Sequence, residues 1–504
     1  MTPAAVSLTI IAAIVAAGVT VGFLAGARRK MDLEEWTVGG RGFGVLLVFL
    51  LMAGEVYTTF SFLGASGWAY SHGGPTLYVL AYLTLAYVVS FFVLPQLWEL
   101  GRRHGMQTVA DFFGLRYGNR YLAGFACLVG IVCLVPYVQL QITGVGIILS
   151  VASFGGIGRA PAMAICVVLL VAFVFASGVR AVAWISVVKD GLMILAALCI
   201  GIAIPYIHFG GVGPMFAALA RARPEHLTMP GATIDQGHAW YVSTVLLTSV
   251  GFYMWPHAFG STFTAKSADT LRRNAVVMPL YTLTLAFIFF AGFASVLLVP
   301  GLKDGDLAML TVVRNTFPAW FLGVIGGAGA LTAMVPASIF ILTAATLFAK
   351  NLIRPVFAPG MSDDQVAKLA RVMVIVLGLI ALCLGIFSSS TLVSLLLTGY
   401  AGVAQFFPGV VLGIYWRRVT LTGVFGGMIA GVSTAAFLML SHRDPLFGLS
   451  AGFLALCLNF AVAGGLSLLT AEPASVAEPD VAAPGGVVGA GGVIPPRASD
   501  MPRI

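Results

Sequence analysis

The chain has 504 residues, of which 59% are hydrophobic and only 9% are charged, and its mean hydropathy is +1.00. Soluble globular domains carry about 25% charged residues, so this composition excludes that class. The net charge of +8 therefore informs the placement of membrane loops and does not indicate nucleic-acid binding. All six cysteines lie in apolar runs, which indicates reduced thiols without a disulfide framework or metal site.

The hydrophobic residues form runs of about 20, the length of a helix that crosses a bilayer. We predict an all-α polytopic membrane protein in which residues 1–470 form the transmembrane domain. Residues 471–504 are rich in Ala, Pro and Gly, and we predict a disordered tail there. The 13 predicted transmembrane helices are 3–27, 43–70, 74–98, 120–150, 160–180, 183–207, 239–262, 276–300, 319–348, 370–388, 391–415, 420–440 and 448–470.

The basic residues separate the loops into two groups. Twenty of the 27 Lys and Arg residues fall on one predicted face and six on the other, which leaves Lys189 inside a helix. Basic loops stay in the cytoplasm, so we expect the N-terminus outside and the C-terminus in the cytoplasm. We also predict a short interfacial helix at Thr108–Phe113 on the basic side. The outer loop 208–237 contains a short amphipathic stretch, Pro214–Ala222, which we expect to cap the outer mouth.

The second predicted helix has a polar centre, because Gly54 and Glu55 lie in its middle and Thr58 and Ser61 follow. A carboxylate at bilayer depth costs about 3 kcal/mol, so it usually faces a protein interior or an aqueous site. Glycine at that depth favours a break in the helix. A broken apolar helix with hydroxyls at the break is typical of a transport site.

The seventh predicted helix repeats this pattern, with Thr248 and Gly251 at its centre and Pro256 below them. Proline removes a backbone donor and interrupts the helical hydrogen bonds. The two interrupted helices are five helices apart. This spacing predicts an inverted repeat of 43–207 against 239–415, with the binding site between the two halves.

Several short motifs, in order along the chain, resemble those of the sodium/solute symporter family. They are Trp36–Arg41, Gly64–Gly67, Gly178–Trp184, Trp255–His257 and Gln405–Gly409, and the resemblance covers about residues 1–470. Met52–Phe60 and Pro136–Gln141 resemble most the bacterial branch that carries short monocarboxylates. The resemblance implies a LeuT-type five-plus-five core with alternating access, in a bacterial cytoplasmic membrane.

The resemblance also implies a position for a coupling cation. In the family, sodium is held by backbone carbonyls at the helix break, which correspond to Gly54 and Tyr57. It is also held by residues of the ninth helix, which correspond to Thr332, Val335 and Pro336, so two of the expected hydroxyls are missing. A shift of this alignment would bring in Ser338 or Thr343 as replacements, and this alternative stays open. Ser186 stands where the family has an acidic residue near the cation.

Lys189 lies one helical turn after Ser186, and an ammonium group can stand where a cation would sit. We hypothesise that Lys189 and Glu55 approach each other, replace sodium and exchange a proton during transport. Two simpler interpretations stay open: Glu55 only accepts hydrogen bonds from the broken helix, and Lys189 forms an interfacial pair with Asp190. The coupling ion is therefore Na⁺ or H⁺, and no other metal or cofactor is expected.

The predicted solute-binding residues are small or polar groups at membrane depth. The family resemblance implies Thr58, Ser61, Thr248 and Gly251, although such residues also mediate ordinary helix packing. Polar groups that can donate to a carboxylate are Gln139, Gln141, Tyr400 and Gln405. We assign Trp255 and His257 to a gate.

These residues predict a secondary active symporter for a short monocarboxylate such as lactate or pyruvate. The positive end of the broken helix offers backbone N–H groups to a carboxylate without an arginine. An amino-acid symporter, with Glu55 facing the ammonium, stays open, as does a membrane sensor with a transporter-like fold. The sequence has no HExxH motif and no nucleotide-binding loop, so we expect no enzyme and no ATP-driven pump. The expected partners are the solute and the bilayer, and the expected functional unit is a monomer.

Overall fold

The computed structural model describes residues 1–26, 38–176, 179–233, 236–388 and 390–470. Over these ranges the structure is helical, and extended pairing is limited to two isolated bridges, Phe43–Ala265 and Leu446–Leu449. The prediction of an all-α chain is confirmed for this part of the sequence. The predicted tail, the start of the motif at Trp36 and the residue Gly178 lie outside the described residues.

Among the described residues, the first half of the chain contains nine α-helices, two of which are the halves of one broken span. A π-helical turn at Phe60–Gly64 joins the two halves of the broken helix, which are α2 and α3. The helices are α1 Pro3–Gly26, α2 Val45–Val56, α3 Ala65–Ser71, α4 Tyr78–His104, α5 Val109–Tyr117, α6 Arg120–Ala152, α7 Arg159–Ala176, α8 Val179–Phe209 and α9 Val212–Ala222.

The second half contains the remaining twelve helices of the described residues. They are α10 His238–Gly251, α11 Pro256–Ser261, α12 Ala268–Thr282, α13 Leu285–Leu298, α14 Ala308–Thr316, α15 Ala319–Thr346, α16 Arg354–Val356, α17 Asp363–Phe387, α18 Leu392–Val403, α19 Phe406–Tyr415, α20 Leu421–Leu440 and α21 Ala451–Leu469.

The chain is a multi-pass membrane protein. Among the described residues, nine helices are long and apolar enough to cross a bilayer, and eleven if each of two bent pairs forms one span. The two other predicted segments correspond to α7 and to α10 with α11, which are shorter. The number thirteen therefore stays a prediction.

The break between α2 and α3 bends the span by 50°, in agreement with the sequence. In a continuous helix the amide of Thr58 would bond to the carbonyl of Gly54. Here it donates to Ser61 Oγ at 3.0 Å, and Ser61 Oγ donates in turn to Val56 O at 2.8 Å. Short polar side chains thus replace the helical bonds at the break, and the carbonyl of Gly54 becomes available to another partner.

The interruption between α10 and α11 follows from proline. Trp255 has an extended conformation with ψ of 130°, and Pro256 is the first residue of α11. The residue before a proline is pushed out of the helical region, whereas proline itself suits the first position of a helix. The predicted interruption of this segment is therefore confirmed.

A third break was not predicted, because residues 391–415 read as one apolar run. Helices α18 and α19 meet there at a bend of 41°. Asn459 on α21 donates to both the backbone oxygen and the side-chain oxygen of Gln405 at this break. The stabilising partner comes from a distant part of the chain, so the local sequence carries no sign of it.

The predicted short helix near Thr108 is confirmed, and the amphipathic stretch of the loop 208–237 is also helical. Helix α5 begins at a capping box in which Thr108 and Asp111 exchange hydrogen bonds, and α9 contains the amphipathic stretch. We call the side of the bundle that contains α5 and Lys350 the basic face, and the side that contains α9 and Asp306 the opposite face.

We predict that Gly144→Ala destabilises the protein. Helix α6 passes the break at Gly144, where an added Cβ would lie 2.6 Å from Thr59 Cβ. Overpacking of this kind costs roughly 1–3 kcal/mol, so the melting temperature in detergent should fall. The matched control is Gly124→Ala on the same helix, where nothing lies within 4 Å and alanine should be neutral or slightly stabilising. Equal melting temperatures for the two variants would contradict close packing at the break.

Candidate cation and solute site

Lys189 occupies the centre of the broken span. Its ammonium donates to the carbonyl oxygens of Gly54 at 2.9 Å and Tyr57 at 3.0 Å, and it lies 2.9 Å from Asp190 Oδ1. The lysine is fully buried. A lysine ammonium has three donors, and three oxygen atoms surround it here. The two carbonyls are those to which the family resemblance assigned a cation.

The lack of a side chain at Gly54 lets α8 approach the break. A Cβ at this position would lie 3.0 Å from Ser186 Oγ and 3.4 Å from Lys189 Nζ. Ser186 itself donates to the carbonyl of Val182 at 3.0 Å. Ser186 therefore lies beside the break, as expected, and its hydroxyl proton is engaged within its own helix.

The structure gives Glu55 and Lys189 different partners from those in our hypothesis. Lys189 pairs with Asp190, whereas Glu55 Oε1 accepts a hydrogen bond from Ser261 Oγ at 2.7 Å. Glu55 is 3% exposed and its Oε2 has no hydrogen-bond partner. The direct Lys189–Glu55 pair is therefore absent from this conformation, whereas the pair between Lys189 and Asp190 is present and buried. Its interfacial position stays a prediction.

On α15, the ninth predicted helix, one of the residues assigned to the cation has an unpaired hydroxyl. Thr332 Oγ1 is buried without a hydrogen-bond partner. Ser338, a candidate to replace the missing hydroxyls, donates to Met334 O at 2.6 Å. Of these two hydroxyls, Thr332 is thus the one that stays available for a ligand.

The amides at the break are capped, which differs from the free N–H groups that we expected. Gln141 Oε1 accepts from the amide of Thr59 at 3.2 Å and from its hydroxyl at 2.7 Å. The amide of Phe60 donates to Thr58 Oγ1 at 3.2 Å. The side-chain nitrogen of Gln141 is buried and has no partner, so Gln141 presents a free donor at the break.

Two predicted solute residues have structural partners elsewhere. Gln405 Nε2 donates to Ala401 O and Gly452 O, and Asn459 binds the Gln405 oxygens. Gln139 lies beside Gly385 of α17. The structure therefore brings Thr58, Ser61 and Gln141 together at the first break, while Gln139 and Gln405 lie in other contacts.

The second interrupted segment supplies an aromatic cluster. Gly251 packs against Tyr400, whose ring lies 5.4 Å from that of Trp255. Thr248 Oγ1 donates to Thr244 O of its own helix.

Two aromatic residues that we did not assign complete this cluster. Tyr137 stacks on Phe340 with ring centroids 4.1 Å apart and lies 4.7 Å from Trp255. Phe340 lies 4.2 Å from His257. Tyr137 was visible only as part of the motif Pro136–Gln141.

A small cavity of about 30 Å³ lies between α11, α15 and the loop before α5. His257 and Ser261 line it, and Ser261 also donates a hydrogen bond to Glu55, so Ser261 stands between the cavity and the carboxylate. The His257 Nδ1 atom has no hydrogen-bond partner. The lining residues are Gln107, Thr108, Pro256, His257, Gly260, Ser261, Thr264, Ile339, Leu342, Thr343 and Thr346.

Comparison with known proteins identifies the family. The model of the sodium:solute symporter family matches residues 36–431. The chain belongs to this family. The family and the fold of this symporter are those of transporters and not of enzymes, and its core is of the LeuT type.

Three known proteins are similar to this symporter over most of its length. An uncharacterized symporter of Bacillus subtilis, YhjB, is 42% identical over 94% of this chain and 98% of its own length. A monocarboxylate transport permease protein of Rhizobium johnstonii is 29% identical over 90% of this chain and 95% of its own. The structure of a Na⁺-coupled sialic acid symporter has a TM-score of 0.78 at 18% identity, and covers 94% of this chain and 99% of that one.

The symporter is held together at the basic face by Asp111. Its carboxylate binds Lys350 Nζ at 2.8 Å and Asn351 Nδ2 at 2.7 Å, and accepts from the amides of Gln107 and Thr108. Burial alone would raise the pKa of Asp111, but the charge of Lys350 and these hydrogen bonds outweigh it and lower the pKa. The charged Asp111 carboxylate therefore connects α5 to the residues that follow α15.

At the opposite face, Asp306 joins three elements. Its Oδ2 accepts from the amide of Leu392, the first residue of α18, at 3.0 Å. A Cβ at Gly67 of α3 would lie 2.7 Å from Asp306 Oδ1, so the carboxylate packs directly on the broken span. The nearby Arg159 pairs with Asp304 at 3.3 Å. Asp306 is thus buried against a helix N-terminus.

We predict that the Asp306 carboxylate makes stability depend on pH. Burial raises its pKa from 3.8 to about 6, although the Leu392 amide opposes the shift. A raised pKa means that this arrangement favours the protonated form, so its contribution to stability should fall as the pH rises from about 4 to about 6. Asp306→Asn keeps the acceptor for Leu392 and should remove this fall.

The measurement is the melting temperature in detergent at about pH 5 and about pH 8. The control is Asp364→Asn, since the Asp364 side chain is 73% exposed and its removal should leave the pH profile unchanged. A pH profile of Asp306→Asn that matches the wild type would contradict the assignment.

Proposed function

We propose that this symporter takes up a short monocarboxylate, such as lactate or pyruvate, together with a cation that moves down its gradient. The Rhizobium relative named as a monocarboxylate transport permease supports this substrate class, because the similarity extends over nearly the whole chain. The distribution of basic loops supports a bacterial cytoplasmic membrane, with the basic face in the cytoplasm and the N-terminus outside.

The observation that carries the proposal is the free donor of Gln141. A monocarboxylate needs hydrogen-bond donors and little else, and a buried unpaired donor costs roughly 1–3 kcal/mol. Gln141 Nε2 is such a donor, and it lies beside the capped amides of Thr59 and Phe60. A solute carboxylate would satisfy it and would gain the backbone donors if Thr58 and Ser61 released them.

The packing at the break favours a small solute. A Cβ at Gly144 would overlap Thr59, and one at Gly251 would lie 3.0 Å from Tyr400. The packing of α6 on the first break and of α18 on α10 is therefore tight. A lactate-sized molecule needs less rearrangement than a sugar would.

A small neutral amino acid, similar to proline or alanine, is the second candidate. It is favoured by one specific observation, which is that Glu55 Oε2 is buried and unpaired and offers an acceptor to a solute ammonium. Proteoliposome uptake of labelled lactate, pyruvate, acetate and alanine separates the two candidates. Uptake of alanine without uptake of lactate would replace our proposal with this one.

We predict that Gln141→Glu raises the KM for monocarboxylate uptake by at least about tenfold. The carboxylate introduced at position 141 would repel the solute carboxylate, whereas the Gln141 amide would donate a hydrogen bond to it. The variant keeps the oxygen that accepts from Thr59 and replaces only the free donor. The matched control is Gln139→Glu on the same helix, which lies beside Gly385 and should keep the wild-type KM. A wild-type KM for lactate in a folded Gln141→Glu protein would rule out this role.

A further inference from the structure

We propose that the Lys189 side chain, with Asp190 as its counter-ion, occupies the cation position in this symporter and binds the coupling proton there, so that transport is driven by protons and does not use sodium at this position. This inference rests on the proposed function only in assuming a gradient-driven symporter. It departs from the cation in the family's description, and the departure comes from the contacts of one side chain.

The first argument is that the oxygens of this position are already used. The carbonyls of Gly54 and Tyr57 and a carboxylate oxygen of Asp190 lie 2.9–3.0 Å from the Lys189 nitrogen. Unwound carbonyls at a helix break are the groups that coordinate a transported cation in proteins of this kind. The ammonium donates hydrogen bonds to both carbonyls and forms an ion pair with the carboxylate, so a sodium ion would have to displace it.

The second argument is electrostatic. A buried charge is tolerated when it is paired and hydrogen-bonded, and the Lys189–Asp190 pair is neutral as a whole. A sodium ion beside Lys189 would add an uncompensated positive charge at the shortest possible distance. Removal of the lysine proton instead leaves an amine that no longer attracts the two carbonyls strongly.

The titratable groups around Lys189 come from three helices. Asp190 belongs to its own helix α8, Glu55 and Tyr57 come from α2, and Tyr281 of α12 faces Asp190. The Tyr57 and Tyr281 rings lie 5.1 Å apart. Glu55 is the only carboxylate among these groups on another helix, and its link to Ser261 leads to the cavity on the basic face.

These contacts define a coupled step. A proton that arrives from the opposite face converts the Lys189 amine to an ammonium, and the ammonium binds the carbonyls of Gly54 and Tyr57, which ties α2 to α8. When the proton leaves for water on the side of the cavity at the basic face, the carbonyls of Gly54 and Tyr57 are released and α2 can move. One proton enters and one leaves in each cycle, and no other reactant is needed.

The experiment uses the full chain in proteoliposomes with labelled lactate. We expect accumulation with an acidic exterior in the absence of sodium, and none with a sodium gradient at equal pH. The double variant Lys189→Met with Asp190→Asn removes the proton-binding pair without leaving an unpaired carboxylate. It should lose pH-driven accumulation by at least about tenfold and keep exchange within about threefold. The control Lys303→Met, at an exposed loop lysine, should behave as the wild type.

Two readouts separate this inference from the proposed function. Lactate exchange needs no gradient, so its absence would count against the solute and not against the ion. The melting temperature of the wild type needs no solute, and we expect it to be the same in NaCl and KCl at equal ionic strength. A sodium-specific rise in melting temperature, sodium-driven accumulation at equal pH, or pH-driven accumulation by the folded double variant would each overturn the inference.

Discussion

The interaction on which the rest of the structure depends is the one between Lys189 and the carbonyl groups of the broken span. A helix interrupted inside a membrane must find partners for its backbone groups, because lipid offers none. The backbone amides at the break donate to the side chains of Ser61, Gln141 and Thr58. The two carbonyls both accept from the Lys189 ammonium. At an effective dielectric constant of about 20, a second positive charge 4 Å away would be repelled by about 4 kcal/mol. The electrostatics of the break therefore favour a single positive charge, and the Lys189 ammonium provides it.

The two ends of the bundle are closed by carboxylates in different electrical surroundings. At the basic face, Asp111 is held by Lys350 and by neutral donors, so its pKa is lowered. At the opposite face, Asp306 has a single amide from Leu392 against it, while Arg159 is engaged by Asp304. The contacts of Asp111 therefore favour its charged form, whereas the surroundings of Asp306 favour its protonated form.

The sequence predicted two of the three broken spans because their causes are local. Gly54 and Glu55 in the middle of an apolar run, and Pro256 in another, each act within a turn of the helix. Tertiary surroundings could not be predicted in this way. A pair between Lys189 and Asp190 could be expected from the sequence, but nothing near them in the chain indicates that this pair lies buried against the carbonyls of Gly54 and Tyr57.

The same limit applies to the solute residues. Gln139 and Gln141 are equivalent in type, and their opposite surroundings depend on which helix lies against each face of α6. The capping of Thr59 by Gln141 joins residues that are 82 positions apart. Tyr137 and Phe340 likewise join α6 to α15, and nothing in either local sequence indicates the other.

The contact between Gln405 and Asn459 has a mechanical consequence. Asn459 donates hydrogen bonds to both the backbone and the side-chain oxygen of Gln405 at the bend between α18 and α19. The bend therefore cannot straighten with these bonds intact unless α21 moves with it. The last two helices, α20 and α21, pack on each other and therefore restrict movement of the bend between α18 and α19. Their sequence should govern how fast the carrier turns over, while leaving the choice of solute to residues elsewhere.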